Sequence, residues 1–386
     1  MTAALAPAPR PAPDRAEDAV AVARLAADLV RLDSRSSRPN LAVADRLEAD
    51  LAGGGFEVER LDYADAAGVP KRCLVAHRGG PGGLALSGHM DTVPDTGWTD
   101  DPWSGRVDAA GLLHGLGAVD MKGGVAAAVV AALGLPPGVP ATLLITADEE
   151  TDKAGARAIT ERSALARRAA LAGIVVVEPT GMAPVRGHRA YVEFTAEARG
   201  VQAHSSQPEG RNANWALVPF LAEMRDLHRR LRDDPATQDP AYDPPWSDFN
   251  LVLDNHGAAV NVAVPLATAR IKYRRSRGVD PGPVVGAVRA AAARAGVALR
   301  ERHEGTPPEL AADHPLVALA SRLSGRAPRT APYGTDATEL QALAPCVVLG
   351  PGTVETAHTP RERVAVAELA AAVPVFRRLL AEGAAS

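Results

Sequence analysis

The hydrophobic positions of this chain follow one pattern before about residue 184 and another after it. In the first part, short runs that are apolar throughout alternate with segments that have helical spacing of apolar residues. Unbroken apolar runs are typical of strands that are buried on both faces of a parallel sheet. Their alternation with helices predicts an α/β domain with a mostly parallel sheet flanked by helices.

The elements predicted for this first part begin with a helix that has a single apolar stripe. Val22, Leu25, Leu29 and Leu32 form that stripe. Asn40 precedes the second helix, at a position where an amide side chain is a favoured N-cap. We expect helices at 19–32, from 41 to about 53, at 123–133 and at 152–169, and strands at 84–87, 141–146 and 173–177.

The second part begins with a segment in which apolar and polar residues alternate. Alternation over 190–198 is typical of a strand that has one face in solvent. The segments that follow are typical of a small α+β domain. They are predicted to be helices at 212–231 and 281–295, a strand at 267–275 and a proline-rich loop at 235–246.

The first pattern resumes after about residue 303, with helices predicted at 314–323 and 365–380 and a strand at 346–349. One α/β domain interrupted by an inserted α+β domain explains this order most simply. We therefore expect a disordered leader at 1–15, a main domain at 16–186 plus 304–386 and an inserted domain at 187–303.

Composition places the chain among globular proteins and excludes several classes of function. Hydrophobic residues make up 46% of the 386 residues and charged residues 23%. The net charge of −4 offers no basic field of the kind that binds nucleic acid. The longest apolar stretch, 125–133, has about half the length of a membrane span. We expect neither a nucleic-acid partner nor membrane association.

The N-terminal residues and the cysteines favour a cytoplasmic protein. The first residues alternate alanine and proline around Arg10 and lack the unbroken apolar core of a secretion signal. Cys73 and Cys346 lie far apart and match no metal or redox spacing. Two buried thiols in a reducing compartment explain them best.

Metal-binding side chains follow four of the predicted strands. Because ligands of open α/β sheets bind beyond the carboxyl ends of the strands, we expect these side chains to meet at one edge. One further carboxylate lies in a glycine-flanked loop before the helix at 123–133. The candidates are His89 and Asp91 after the first strand, Glu149 and Glu150 after the second, Glu178 after the third, His358 after the fourth, and Asp120 in the loop.

Such a cluster requires cations. Carboxylates that share one crevice repel one another, which raises their pKa values unless positive charge lies among them. Histidine and carboxylate ligands without a thiolate suit zinc, cobalt or manganese. Taken singly, each motif has an ordinary explanation, since the Glu149–Glu150 pair would also favour the start of a helix. Together the candidates exceed the four ligands of one zinc ion and indicate two ions, about 3.5–4 Å apart, that share a carboxylate.

Six short motifs resemble, in their order, those of the M20 metallopeptidase family. The resemblance covers nearly the whole chain after the leader and implies a metallo-hydrolase catalytic domain with an inserted lid and dimerisation domain. The motifs are SGHMDTVP at 87–94, GLGAVDMKGG at 115–124, DEE at 148–150, EPT at 178–180, GVQAHSS at 200–206, and GPG at 350–352 with AHTP at 357–360.

The resemblance implies a role for each candidate. Asp91 would orient His89, and Glu149 would act as the general base. His204 would act in the partner subunit's active site, where it stabilises the oxyanion, which implies a homodimer. The expected metal ligands, with Asp120 bridging two divalent ions, are His89, Asp120, Glu150, Glu178 and His358.

The substrate implied by the resemblance is a small N-acylated amino acid with a free carboxylate. Arg274 would bind that carboxylate, and Asn261, Gly334 and Thr335 would line the same pocket. The motifs are most similar to those of acetylornithine deacetylases. Desuccinylation of succinyl-diaminopimelate, dipeptide or carboxypeptidase cleavage, and release of an amino acid from an acidic carrier protein remain open.

Departures from the family pattern concern the substrate more than the reaction. Leu116 stands where the family usually has arginine, and Lys272 where it usually has aspartate. A metal-free small-molecule binding protein is the alternative outside enzymes, and the intact Glu149 argues against it. Nucleotide binding is poorly supported, because Asp120 would stand where a phosphate must approach.

Overall fold

The computed structural model describes residues 15–383. Within this range the α-helices, with a short 3-10 turn at Pro235–Thr237, are α1 (Arg15–Val30), α2 (Leu41–Gly53), α3 (Lys122–Leu133), α4 (Ala154–Arg162), α5 (Ala164–Ala169), α6 (Asn214–Asp233), α7 (Gly282–Ala295), α8 (Pro315–Ser324), α9 (Ala337–Leu340) and α10 (Val366–Gly383).

The strands of the same range differ widely in length. They are β1 (Glu57–Ala64), β2 (Pro70–Arg78), β3 (Leu84–His89), β4 (Arg106–Val107), β5 (Leu112–His114), β6 (Ala141–Thr146), β7 (Gly173–Val176), β8 (Val185–His188), β9 (Ala190–Arg199), β10 (Asp248–Asp254), β11 (Leu266–Arg275), β12 (Ala298–His303), β13 (Arg329–Ala331), β14 (Cys346–Val348) and β15 (Arg363–Ala365).

The chain divides into two compact units. The second unit comprises Gly187–Glu309 and Thr330–Gly334, and the first comprises the remainder of the described chain. The domain boundaries expected from the sequence, and the catalytic and lid roles attached to them, stay predictions. Within the described residues, no helix is both long and apolar enough to cross a membrane.

The large sheet has the order β1-β2-β6-β3-β7-β14-β8-β13, and the division between the two units falls within β8 and β13. The neighbouring pairs β6–β3, β3–β7 and β7–β14 are parallel. The strands β3, β6, β7 and β14 are buried along their whole length, as a parallel sheet covered by helices requires. The predicted α/β class is thereby confirmed at the centre of the sheet, while antiparallel strands extend its edges.

Helix α3 is the central helix of the first unit and packs against β3, α1 and α10. It has no polar face, because every residue from Lys122 to Ala132 is buried. Its first turn contains two glycines, and a Cβ added to Gly124 would lie 2.5 Å from the main-chain oxygen of Val177. Only glycine therefore allows the start of α3 to pack against the carboxyl end of β7.

The second unit is an antiparallel sheet, ordered β10-β11-β9-β12, with α6 and α7 packed against each other and on the sheet. Alternate residues of β9 are buried, as the sequence pattern predicted. The buried residues of the sheet and the helices form one apolar core around Phe194, Phe220 and Tyr273. A sheet with helices on one face follows from that alternation.

Several predicted elements differ from the structure. The helix expected at 152–169 is two helices, because Ser163 has an extended backbone and its hydroxyl accepts from the Ala166 N–H to begin α5. Asn40 precedes α2 but makes no cap hydrogen bond. Its side chain instead exchanges two hydrogen bonds with the main chain of Arg72 in β2. The leader predicted at 1–15 lies outside the described residues except for Arg15.

Candidate metal centre

The first unit brings the predicted metal-binding side chains to the carboxyl ends of its central strands. His89 is the last residue of β3, and Asp91 follows it. Glu149 and Glu150 follow β6, and Glu178 follows β7. Ligand atoms of His89, Glu149 and Glu178 lie within 4.8 Å of one another, and so do those of His89, Asp120 and Glu150.

Asp120 lies between two histidines. Its Oδ1 is 3.3 Å from Nε2 of His89, and its Oδ2 is 3.2 Å from Nε2 of His358. Each histidine has a second carboxylate nearby, since Nε2 of His89 is 3.7 Å from Oε1 of Glu178 and Nε2 of His358 is 3.0 Å from Oε1 of Glu150. The cluster thus consists of two His–carboxylate groups that share Asp120.

Asp91 is fully buried and organises the cluster from behind. Its main-chain oxygen lies 3.0 Å from Nδ1 of His89, whereas its carboxylate is 3.6 Å away. The carboxylate instead accepts the main-chain N–H groups of Glu149 and Glu150 and the hydroxyl of Ser36. Asp91 therefore fixes the direction of the Glu149–Glu150 pair, and its main chain, more than its carboxylate, contacts His89.

The contact with the Asp91 carbonyl places a proton on Nδ1 of His89, so the neutral ring would offer its Nε2 lone pair to an ion among the carboxylates. Burial lowers the pKa of His89, but the hydrogen bond to Asp120 and the nearby carboxylate charges outweigh burial and raise that pKa well above its ordinary value. Hydrogen bonds to Asp120 and Glu150 raise the pKa of His358 to about 11. Burial raises the pKa of Glu150 to about 7 and that of Glu178 well above its ordinary value. The site therefore attracts positive charge, and its donors fit two divalent ions.

Glu149 has two buried neighbours that motif spacing did not single out. Nζ of Lys153 is 3.7 Å from its Oε1. Asp336 is 1% exposed and accepts the hydroxyl of Thr146. Burial, followed by the charge of Glu149, raises the pKa of Asp336 to about 7. The only sequence signal for Asp336 was its position after the Gly334–Thr335 loop, because its neighbours are distant in the chain.

His204 and Asn261 lie close together in the second unit. The Ser205 N–H donates to the main-chain oxygen of Asn261 at 2.9 Å. Nδ1 of His204 lies 2.8 Å from the hydroxyl of Ser206 and 3.3 Å from the Ser206 N–H, and the tautomer that accepts from both groups carries its proton on Nε2. His204 is exposed, and its Nε2 is therefore a hydrogen-bond donor on the surface of this unit.

The remaining substrate-pocket candidates differ in their surroundings. Arg274, in the second unit, forms an ion pair with Asp248 at 2.8 Å. Gly334 also belongs to the second unit, whereas Thr335 belongs to the first. The Thr335 side chain is fully buried and accepts the N–H of Ala337 at the start of α9. The structure thus gives Thr335 a role in its own loop.

The two departures from the family pattern also differ. Leu116 is buried, with 1% exposure, so its side chain offers no open surface to a substrate. Lys272 lies in β11, and its Nζ is 4.0 Å from the centre of the Tyr191 ring. An effect of Lys272 on substrate choice stays a prediction.

A sequence model of Peptidase family M20/M25/M40 matches residues 85–382. The chain belongs to this family. It is also 34% identical to an acetylornithine deacetylase of Myxococcus xanthus over 374 residues, which cover 92% of this chain and 95% of the relative. The match and the relative support a metal-dependent amidohydrolase of the deacetylase type, which confirms the reaction class expected from the sequence.

Solved structures share the fold at low sequence identity. A tripeptidase from Staphylococcus aureus has a TM-score of 0.74 at 20% identity, over 95% of this chain and 99% of that protein. The YXEP protein of Bacillus subtilis, described as a dinuclear metal binding peptidase of the M20 family, has a TM-score of 0.64 at 14% identity, over 96% and 99%. These similarities confirm the fold class.

Proposed function

We propose that this enzyme uses two divalent metal ions to remove the acyl group from an N-acylated amino acid, with N-acetylornithine as substrate. The position of Asp120 carries the proposal. Each of its carboxylate oxygens faces Nε2 of a different histidine, at 3.3 and 3.2 Å. The deacetylase relative supports the choice of acyl group and amino acid.

The two His–carboxylate groups divide the proposed ligands. His89 and Glu178 would bind one ion, His358 and Glu150 the other, and Asp120 both. Zinc suits this donor set, and cobalt or manganese are alternatives. When bound, such ions polarise the carbonyl of the substrate and lower the pKa of the attacking water.

Glu149 is the proposed general base. It lies among the ligand candidates, within 4.8 Å of His89 and Glu178 atoms, yet is not needed for either His–carboxylate group. It would take a proton from the water that attacks the amide carbonyl and deliver that proton to the leaving amine. The N–H bond to Asp91 orients its main chain, and Lys153 lies 3.7 Å from its carboxylate.

His204 is the proposed oxyanion donor. The Ser206 N–H at its Nδ1 leaves the proton on Nε2, the tautomer that donates a hydrogen bond to a developing negative charge. By resemblance to the family, this donor would serve the partner subunit's active site. The proposed enzyme is therefore a homodimer whose active sites each use two chains.

The surface of the second unit supports self-association. Edge strand β10 exposes Leu251, Val252 and Leu253, and helix α6 exposes Trp215 and Val218. An unpaired edge with apolar side chains favours pairing with another strand. We propose that a second copy of the chain covers this surface.

Arg274 is the proposed ligand of the substrate carboxylate. Its contact with Asp248 uses Nη1, and a guanidinium has five N–H donors in a fixed fork. That geometry suits a second, bidentate carboxylate.

Within the described residues both cysteines are unbridged and buried, which supports the proposed cytoplasmic location.

A comparison of substrates tests this proposal. The zinc-loaded or cobalt-loaded protein is given N-acetylornithine, N-succinyl-diaminopimelate, dipeptides and a glutamyl amide on an acidic carrier protein, and kcat/KM is measured for each. We expect the highest value for N-acetylornithine. A higher value for another compound would reassign the substrate, and no hydrolysis of any amide by the metal-loaded protein would contradict the proposed reaction.

A further inference from the structure

Glu362 is a buried carboxylate beside the metal centre that no motif indicated. It follows His358 by four residues and immediately precedes β15. Its neighbours Arg361 and Arg363 are both exposed, whereas Glu362 is only 1% exposed. A carboxylate is costly to bury unless it is hydrogen-bonded, so its partners explain its place.

Those partners are main-chain amides of the loop that carries Asp120. Oε1 of Glu362 accepts the N–H groups of Val119 and Asp120, both at 3.0 Å. The N–H of Gly117 also contributes a hydrogen bond to this carboxylate. Amides of three loop residues therefore meet at one side chain, which fixes the main chain at Asp120.

The main chain of Glu362 joins the same loop to the loop of His358. The Gly115 N–H donates to the oxygen of Glu362 at 3.2 Å, and the Glu362 N–H donates to the oxygen of Thr359 at 3.1 Å. Glu362 thus lies between the Asp120 loop and the His358 loop and bonds to both. Asp120 and His358 are the pair whose atoms approach to 3.2 Å.

We propose that Glu362 is a positioning residue that holds Asp120 and His358 at the separation needed to bind a metal ion between them. This inference rests on the proposed two-metal function. Residues beyond the ligands commonly set metal affinity by orienting them, and small displacements of reacting groups cost large factors in rate. Glu362 acts here through the amides of Val119 and Asp120.

Three variants distinguish the effect of the amide contacts from the effects of side-chain volume and of charge at position 362. Glu362→Ala removes the acceptor, Glu362→Asp withdraws it by one methylene, and Glu362→Gln keeps an acceptor oxygen at the same reach. Titration with Co²⁺, followed by visible absorption and calorimetry, measures the affinity of each ion. We expect Glu362→Ala and Glu362→Asp to lower the affinity for one of the two ions by about 10–100-fold. Glu362→Gln should retain much of the wild-type affinity.

Kinetics at saturating metal provide a second readout. Because Glu362 contacts loop amides and is not proposed to contact substrate, Glu362→Asp should lower kcat with little change in KM. Asp18→Asn is the matched control. Asp18 is also a buried carboxylate, 4% exposed, and it binds Arg377 at 2.7 and 2.9 Å between α1 and α10, which carry no proposed ligand. This control should lower the melting temperature and leave both metal affinities unchanged.

The outcomes distinguish the inference from the function on which it rests. A folded Glu362→Asp or Glu362→Ala protein that binds both ions with wild-type affinity would overturn the positioning role. So would an equal loss of metal affinity in Asp18→Asn, since general destabilisation would then explain the effect. If Glu362→Ala fails to fold, Glu362→Asp and Glu362→Gln decide. If the wild-type protein itself does not bind two ions, the proposed function fails and this inference fails with it.

Discussion

Asp91 and Glu362 are buried carboxylates that bind main-chain amides beside the proposed ligands. Asp91 accepts the N–H groups of Glu149 and Glu150, and Glu362 accepts those of Val119 and Asp120. Fixing a ligand through its main chain leaves its own carboxylate oxygens available to an ion. The arrangement therefore holds the proposed ligands rigidly. Burial of the two carboxylates is unfavourable, and their hydrogen bonds offset that penalty.

Glu149, the proposed general base, is the residue whose role is simplest to isolate. Glu149→Ala should keep the fold and both ions, because each His–carboxylate group remains intact, and should lower kcat by about 10²–10⁴-fold. Steady-state kinetics and metal analysis of the purified variant measure both quantities. Glu161→Ala, an exposed glutamate of α4, is the control and should match wild type. A Glu149→Ala enzyme within about tenfold of the wild-type rate would exclude Glu149 as the base.

Sequence motifs located the ligand candidates because each stands at a strand end or in a short loop with its own signature. They missed Asp336 and Glu362 because a contact across the fold defines each. Asp336 bonds to Thr146, 190 residues away, and Glu362 bonds to Asp120, 242 residues away. Glu362 stands in a charged run and has the pattern of a surface residue until the structure shows its partners.

Strand β6 ends at an ion pair that is almost entirely buried. Nζ of Lys71, in β2, lies 2.8 Å from Oδ1 of Asp148, and their side chains are 0% and 2% exposed. Asp148 has a left-handed backbone with φ of 61° and directly precedes Glu149. Tyr63 donates to its other carboxylate oxygen. The β1–β2 hairpin thereby anchors the turn that delivers Glu149 and Glu150.

Lys71→Met should leave the Asp148 carboxylate buried without its cation. We expect the free energy of unfolding, measured by urea denaturation, to fall by about 3–5 kcal/mol. Arg60→Met is the control, since the ion pair of Arg60 with Glu48 is exposed at the arginine and its loss should leave the free energy of unfolding nearly unchanged. Adding Asp148→Asn to Lys71→Met should recover part of the loss. A Lys71→Met protein as stable as the control would contradict the anchoring role.

Elements differed in how far the sequence predicted them. The central strands β3, β6 and β7 were predicted because their residues are apolar throughout. The edge strand β1 was not predicted, because Leu61 is its only buried residue and charged side chains occupy three of its four exposed positions. The local pattern of hydrophobic residues indicates burial. It therefore locates central strands and misses an edge strand such as β1, which is stabilised chiefly by pairing with β2.

The whole molecule is proposed to work as a dimer that shares residues between chains, and this can be tested by complementation. Glu149→Ala and His204→Ala homodimers should each be impaired. Mixed dimers should regain activity, because one of their two sites combines an intact Glu149 with the partner's His204. Turnover is measured after the two variants are unfolded and refolded together, with each variant alone as control. Mixtures no more active than the separate variants would contradict the shared site.

The charge of the metal centre also predicts how the metal-free protein responds to pH. Burial raises the pKa of Glu150 to about 7, so its contribution to stability is complete below the ordinary value of 4.5 and is lost as pH rises through 7. The pKa of His358 is raised from 6.5 to about 11, so the contribution of its charged form to stability is likewise lost as pH rises through 11. The melting temperature of the metal-free protein should therefore fall as pH rises, and bound metal should remove the fall. Glu150→Gln should make the melting temperature of the metal-free protein less dependent on pH. A melting temperature that rises between pH 4.5 and 11 would contradict the prediction.

Amide hydrolysis measured against metal content tests the proposed two-metal centre most directly. Purified protein is stripped with a chelator, titrated with zinc or cobalt, and assayed with N-acetylornithine while bound metal is determined by mass spectrometry. If two ions act together, hydrolysis is absent without metal and reaches its maximum at about two ions per chain, as in two-metal sites. Full activity in the stripped protein, or saturation of activity at a single ion with no second ion bound, would contradict the proposed two-metal centre.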